Sequence, residues 1–275
     1  MTYRSLMVHL DLEHGSEAAL RVTCELADRF KSKVIGVTAA LPGVPFHAGG
    51  VIASSVLEAD YEQLNRAISR SESRFRSALK GFGEALEWRS AAVNPADFLA
   101  MQARAADLLV VGRLENDTTL SPHQPLDIGD AVMKAGRPVL VVPPHITSLA
   151  LNRILIGWKD SSEARRAISA ALPLLRRATE LMIVEIIEDQ QEKDAATGRV
   201  ADVANWLQSH HVPASARVEL SAGDAGSQLN AIASEARVDI IVAGAYGRGR
   251  LREWIFGGVT HYLLRQSSTC VLLVH

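Results

Sequence analysis

The chain repeats itself. Asp107-Leu-Leu-Val-Val-Gly112 returns as Asp239-Ile-Ile-Val-Ala-Gly244, and Val139-Leu-Val-Val142 returns as Val271-Leu-Leu-Val274, both after 132 residues and with no gap between them. Near the start of each half an apolar run precedes a Ser-Glu-Ala triplet: Leu6 to Leu10 before Ser16, and Ile154 to Trp158 before Ser162. The triplets lie 146 residues apart, so the first half carries about fourteen extra residues in its middle. Self-similarity over so long a period points to a duplicated domain rather than a solenoid. Consecutive prolines after a strand make a linker, and Pro143-Pro144 stands at the join. The expected units are residues 1–146 and 147–275.

Each unit reads as strands alternating with helices. In the first, strands are expected at 4–10, 33–39, near 86–93 and at 107–112, with helices at 16–31, about 54–80 and 95–105, and a final short helix and strand share 128–142. The long helix shows an apolar face of Val56, Leu64, Ile68, Phe75 and Leu79. In the second, strands are expected at 153–158, 180–187, 215–221, 239–244 and 270–274, with helices at 161–178, 189–210, 224–236 and 258–266. Short, wholly apolar strands suit a parallel sheet covered on both faces. The fold class is therefore α/β, with two tandem doubly wound domains. Ligands of such sheets sit at the carboxyl ends of the strands where the strand order reverses. The turn after Ile241-Val242-Ala243 is one such end.

Composition excludes several functions. Hydrophobic residues make up 48% of the chain and charged residues 22%, which supports a globular core. Aromatics are only 5%, too few for a base-stacking platform, and a formal net charge of -2 offers no general attraction to nucleic acid or anionic membrane. No apolar run approaches the ~18 residues that span a bilayer. Cys24 and Cys270 stand far apart in apolar contexts and read as reduced core thiols. With no export signal behind Met-Thr-Tyr-Arg-Ser, a cytoplasmic location is expected.

The segment Gly244-x2-Gly247-x9-Gly257-Gly258-x-Thr260 runs from a strand end to a helix start, where backbone N–H groups can hold phosphate. It is not a Walker loop, because no Gly-Lys-Ser/Thr follows. This spacing, the Gly223-Asp224 turn, both strand openings and the terminal strands resemble the universal stress protein family, tandem-domain type. The resemblance implies two Rossmann-like (adenine nucleotide alpha hydrolase-like) domains, each a five-stranded parallel sheet with flanking helices. It implies a stress-response binding or regulatory role, with ATP or AMP as the candidate ligand. It also implies pairing through last strands, here 138–142 against 270–274, with a homodimer as a further option. Nucleic-acid and membrane partners are not expected.

On that resemblance the cofactor-binding candidates are Gly244, Gly247, Gly257, Gly258, Thr260, Asp160, Lys159, Ile187 and Arg248. The glycines would expose backbone to the nucleotide, or else serve only the turn. Thr260 would donate a hydroxyl to phosphate or cap its helix. Gly258 stands where the family has Ser or Thr, and Lys159 where it has an acid. Asp160 would substitute for that acid, or cap the next helix with Ser161 and Ser162. The backbone at Ile186 and Ile187 would hold adenine. Arg248, Arg250 and Arg252 would clamp phosphate or lie in solvent, while Trp254 and Phe256 pack the loop.

In the first half the corresponding positions are Glu115, Pro125, Leu126 and Ile128, and only Gly112 survives. Asp11 does occupy the acidic slot. Nucleotide binding of the family kind is therefore expected in the second half alone. No catalytic residue or metal site is expected, since His210-His211 has no further ligand at metal spacing. A slow ATPase and a nucleotide-free interaction protein are the two other readings, and the sequence is silent on Mg²⁺.

Overall fold

The computed structural model describes residues 2–14, 16–42, 54–114, 123–247 and 258–275. The first half contains β1 (Ser5–His9), α1 (Glu17–Phe30), β2 (Lys33–Ala39), α2 (Ser54–Ala78), β3 (Leu86–Ala91), α3 (Pro95–Gln102), β4 (Leu108–Gly112), α4 (Ile128–Ala135) and β5 (Val139–Val142). The second contains β6 (Arg153–Trp158), α5 (Ser162–Leu175), β7 (Glu180–Ile187), α6 (Lys193–Ser209), β8 (Ser215–Leu220), α7 (Ala225–Glu235), β9 (Ile240–Gly244), α8 (Gly258–Gln266) and β10 (Cys270–Val274).

The helix starts follow from local chemistry. Asn94, Asp127, Ser161 and Asp224 each accept a backbone N–H with their side chains at the openings of α3, α4, α5 and α7. Several expected helices are shorter, among them α3, which ends at Gln102, and α5, which ends at Leu175. The one expected to reach 80 ends at Ala78, and a 3-10 turn over Lys80–Ala85 follows, with Gly83 at φ 52°. The one expected from 189 begins as a 3-10 turn, Gln190–Glu192, because the Asp189 carboxylate holds the Gln191 N–H.

All ten strands form one sheet, in the order β3-β2-β1-β4-β5-β10-β9-β6-β7-β8. Within each half every pairing is parallel, and the two halves have the same internal order. They meet at β5 and β10, which pair antiparallel with Leu272 opposite Leu140. The pairing between last strands that the family resemblance implied is thus present within this chain.

The seam is buried on both faces. Leu140, Val142, Cys270, Leu272 and Val274 join a core under α1, α2, α5 and α6 that runs unbroken from Leu6 and Val8 to Ile154 and Ile156. Val139, Val141, Val271 and Leu273 join the opposite core under α3, α4, α7 and α8. Both large cores are shared between the halves, while a small cluster of Leu12, Ala40, Leu64 and Ala67 belongs to the first half alone. The linker adds to this continuity. Leu149 and Leu151 are buried in the first core, the Glu25 carboxylate accepts the Leu149 N–H at 2.8 Å, and Arg29 donates to the Leu149 carbonyl. Tyr3 before β1 donates to the Ala170 carbonyl of α5 at 2.7 Å.

Two results are expected from this shared core. Leu272→Ala should destabilise the chain by about 2–5 kcal/mol, the usual cost of emptying a closed core position. Denaturant unfolding followed at Trp88 in one half and at Trp158 or Trp206 in the other should show a single coincident transition. Two separated midpoints would mean that the halves fold independently.

Candidate functional site

The strand order reverses between β6 and β9, where Gly157 sits opposite Ala243. From there β7 lies to one side and β10 to the other, so the two chain exits at this point diverge, the arrangement that opens a ligand crevice in sheets of this kind. One exit runs through Lys159 and Asp160 into α5, and the other through Ala245 to Gly247. The N-terminus of α8, at Gly258, belongs to the same segment of chain. Gly257 and Arg248, with Arg250 and Arg252, lie outside the described residues, as do Trp254, Phe256 and Glu115.

The glycines have distinct jobs. A Cβ on Gly244 would lie 2.5 Å from the Ala164 nitrogen and 2.7 Å from the Glu163 carbonyl carbon. Gly244 therefore lets the first turn of α5 press directly on the end of β9. Gly247 carries no such constraint: the nearest atom to its Cβ position is Glu163 Oε2, at 3.6 Å. Neither glycine takes positive φ in this turn; Tyr246 does, at 54°. At Gly258 the nearest atom is Asp224 Oδ2, at 3.4 Å, while Oδ1 of the same carboxylate accepts the Ser227 N–H at 2.7 Å. Gly226 seats α7 against α8, since its Cβ would fall 2.6 Å from Tyr262 Cβ.

The other candidates are spread around the crevice. Lys159 and Gly247 are exposed. Asp160 is exposed and ion-paired with Arg165, while Ser161 caps α5 by accepting the Ala164 N–H at 3.2 Å. Ile187 is buried at the end of β7, and its carbonyl accepts the Ser221 N–H at 2.7 Å. Thr260 is buried in the first turn of α8.

Glu163 and Asp224 were not among the sequence candidates, yet their carboxylates lie beside the two open glycines. Glu163 is only 4% exposed. Burial alone would raise its pKa, but its own backbone N–H, the Ser162 and Ser161 hydroxyls and the Arg166 guanidinium together hold it below the ordinary value. Ser162 Oγ donates to it at 2.8 Å and Arg166 at 3.1 Å. It stands as a fixed anion under Gly247. The Ser-Glu-Ala triplet was visible in the sequence, but its copy Glu17 is exposed, so the repeat carried no signal of burial.

The first half closes the equivalent place. His9, Asp11, Leu12, Glu13, Ala39, Ala40, His123, Gln124 and Leu126 surround a cavity of about 10 Å³, roughly room for one water. Asp11 is spent on its own turn, accepting the N–H groups of Glu13 at 2.9 Å and His14 at 2.8 Å. His123 Nε2 lies 3.6 Å from the Glu13 carboxylate. Although two histidines and two acids line this cavity, no group of three is arranged to hold a metal among the described residues. Burial lowers the His9 pKa to about 4, against an upward pull from Asp11.

Substitution separates packing from binding. Gly244→Ala should cost about 1–3 kcal/mol or more by overpacking, whereas Gly247→Ala should change the melting temperature little. Equal tolerance would show that α5 does not depend on Gly244. His9 makes a second prediction. Unfolded, it gains a proton near its ordinary pKa of about 6.5, while folded it resists protonation until about pH 4. Its contribution is therefore full above pH 6.5 and is lost as pH falls toward 4, by about 3 kcal/mol. Urea midpoints should fall less steeply across that window in His9→Asn than in the parent protein.

The sequence model of the Universal stress protein family matches residues 150–275. Among solved structures, a universal stress protein from Archaeoglobus fulgidus DSM 4304 superposes with a TM-score of 0.75 at 14% identity, over 98% of this chain and 95% of that one. A functionally unknown protein from Pseudomonas aeruginosa PAO1 superposes with a TM-score of 0.63 at 15% identity, over 99% of this chain and 92% of that one. At these identities the likeness is one of fold. No curated protein matches the sequence. Residues 150–275 thus carry a universal stress protein domain, and the chain as a whole takes the Rossmann-like fold twice in tandem.

Proposed function

We propose that the protein is a stress-response binding and regulatory module whose second half takes an adenine nucleotide, ATP or AMP, in the crevice between β6 and β9. The observation that carries this reading is the open backbone at that reversal point. Gly247 is exposed there and Gly258 is exposed at the start of α8, and neither is needed for packing its immediate neighbours. A helix start such as that of α8 favours phosphate through its unpaired N–H groups. Ile187 supplies a buried apolar strand end for the base, and Lys159 the cation nearest the exit of β6.

The two carboxylates modify this reading. A phosphate charge about 4 Å from an uncompensated carboxylate is disfavoured by about 4 kcal/mol at an effective dielectric of 20. Arg166 offsets part of this at Glu163, and Asp224 has no described ion pair. The nucleotide is therefore expected to arrive with Mg²⁺, which would neutralise phosphate beside these acids. The same carboxylates favour a second reading, in which the site is a relic and the protein works by interaction alone. Rapid hydrolysis is not part of either reading, because Glu163 is the one buried acid beside Gly247 among the described residues and its carboxylate is already engaged by Ser162 and Arg166.

Nucleotide released from purified protein by acid and resolved by chromatography separates the two readings. ATP with Mg²⁺ should also raise the melting temperature, by the equivalent of about 2.7 kcal/mol at a hundredfold excess over Kd, and less in EDTA. Gly247→Asp, which adds a third carboxylate, should abolish the shift and preserve the fold. If no nucleotide is released and none stabilises the protein at millimolar concentration, the relic reading stands.

A further inference from the structure

The duplication creates two related places, one at each end of the β5–β10 seam, and the structure treats them differently. Where β5 ends and β10 begins, the linker fills the space. His145 donates through Nε2 to the Ser268 carbonyl at 2.9 Å, and Arg21 donates to the Ile146 carbonyl at 3.3 Å. Arg113 completes this end by donating to the Ser267 carbonyl. At the other end β5 begins and β10 finishes, with Val139 opposite Leu273, and no linker passes. A groove of about 490 Å³ remains there, lined by Gly136, Arg137 and Pro138 from one half and by Arg165, Arg166 and Ser169 from the other, over Ala170 and Val274.

The lining has a definite chemistry. It contains three arginines and no acid. Arg165 and Arg166 are exposed and each holds one carboxylate, Asp160 and Glu163, which lie outside the lining. Arg137 is exposed and has no ion pair among the described residues. Its position is set by Gly136, which ends α4 in the left-handed conformation at φ 57°. The floor of Pro138, Ala170 and Val274 is apolar. The volume falls within the ~300–1,000 Å³ of small-molecule sites. Guanidinium groups match the paired oxygens of phosphate better than ammonium does.

We propose that this groove between the halves binds a phosphorylated small molecule, with the phosphate on Arg137, Arg165 and Arg166 and the carbon skeleton on Pro138, Ala170 and Val274. The site needs both halves, because Arg137 comes from the first and the other two arginines from the second. It borders the β6–β9 crevice, since Arg165 and Arg166 also hold Asp160 and Glu163, but Arg137 and the apolar floor belong to the groove alone.

Phenyl phosphate is a suitable probe, titrated calorimetrically into the full chain beside inorganic phosphate and phenol. Saturable binding of phenyl phosphate is expected, tighter than either fragment and weakened by salt. Arg137→Ala should reduce affinity about tenfold, the equivalent of one charge-assisted hydrogen bond. Arg137→Glu should abolish binding. Circular dichroism of the two Arg137 variants should match the parent, since that side chain is exposed. Absence of saturable binding at millimolar probe, or equal affinity in parent and Arg137→Glu, would overturn the proposal.

Discussion

The antiparallel pairing of β5 with β10 is the contact on which the rest of the molecule depends. Each half alone would end its parallel sheet in a strand apolar on both faces, with a row of unpaired backbone groups along its edge. Such an edge invites aggregation or pairing with another chain. Here the two edges satisfy each other through Val139, Leu140 and Val141 against Leu273, Leu272 and Val271. Because side chains alternate across the strands, the same pairing sends one set of apolar groups into each of the two cores. The halves are thereby joined in three ways at once: by backbone hydrogen bonds, by both hydrophobic layers and by the linker's buried Leu149 and Leu151.

A shared frame has let the two sets of strand ends diverge. In the second half α5 presses against β9 through Gly244, which places the Glu163 carboxylate under the open backbone of Gly247. In the first half the surviving Gly112 makes only an ordinary contact with Ala19, 3.6 Å from its Cβ position. The space above β1 is instead taken up by His9, Leu12 and their neighbours around a cavity of water size. One reversal point is thus kept open and charged while the other is closed around a neutral histidine. The frame tolerates both because the seam and the cores hold it, whatever stands at the strand ends.

The sequence disclosed the fold in proportion to how local its causes are. Strands such as Val139–Val142 and Cys270–Val274 are short apolar runs, and Asn94, Asp127 and Asp224 announce helix starts by the hydrogen bonds they make within a few residues. The splitting of the helix expected from 189 was harder to see, because the Asp189 carboxylate competes locally with the helical bond pattern. The candidate site was legible as a place more than as a mechanism. Lys159, Asp160, Gly244 and Gly247 stand on the two chain exits at the reversal point, Ile187 ends the neighbouring strand, and Gly258 and Thr260 open α8. The glycine spacing, however, cannot separate a glycine that admits a helix from one that leaves backbone open, since both are simply positions without a Cβ.

By itself the sequence determined the duplication, the alternation of strand and helix, and the loss of the glycine pattern from the first half, because these are properties of residue type and spacing along one chain. Only the tertiary structure decided which glycine packs and which is free, that Glu163 and Asp224 face the glycines, and that the linker fills one end of the seam while three arginines gather at the other. Those outcomes depend on distances between residues far apart in the chain. They are settled by the sheet order and by the antiparallel seam, which brings Arg137 of one half beside Arg165 and Arg166 of the other.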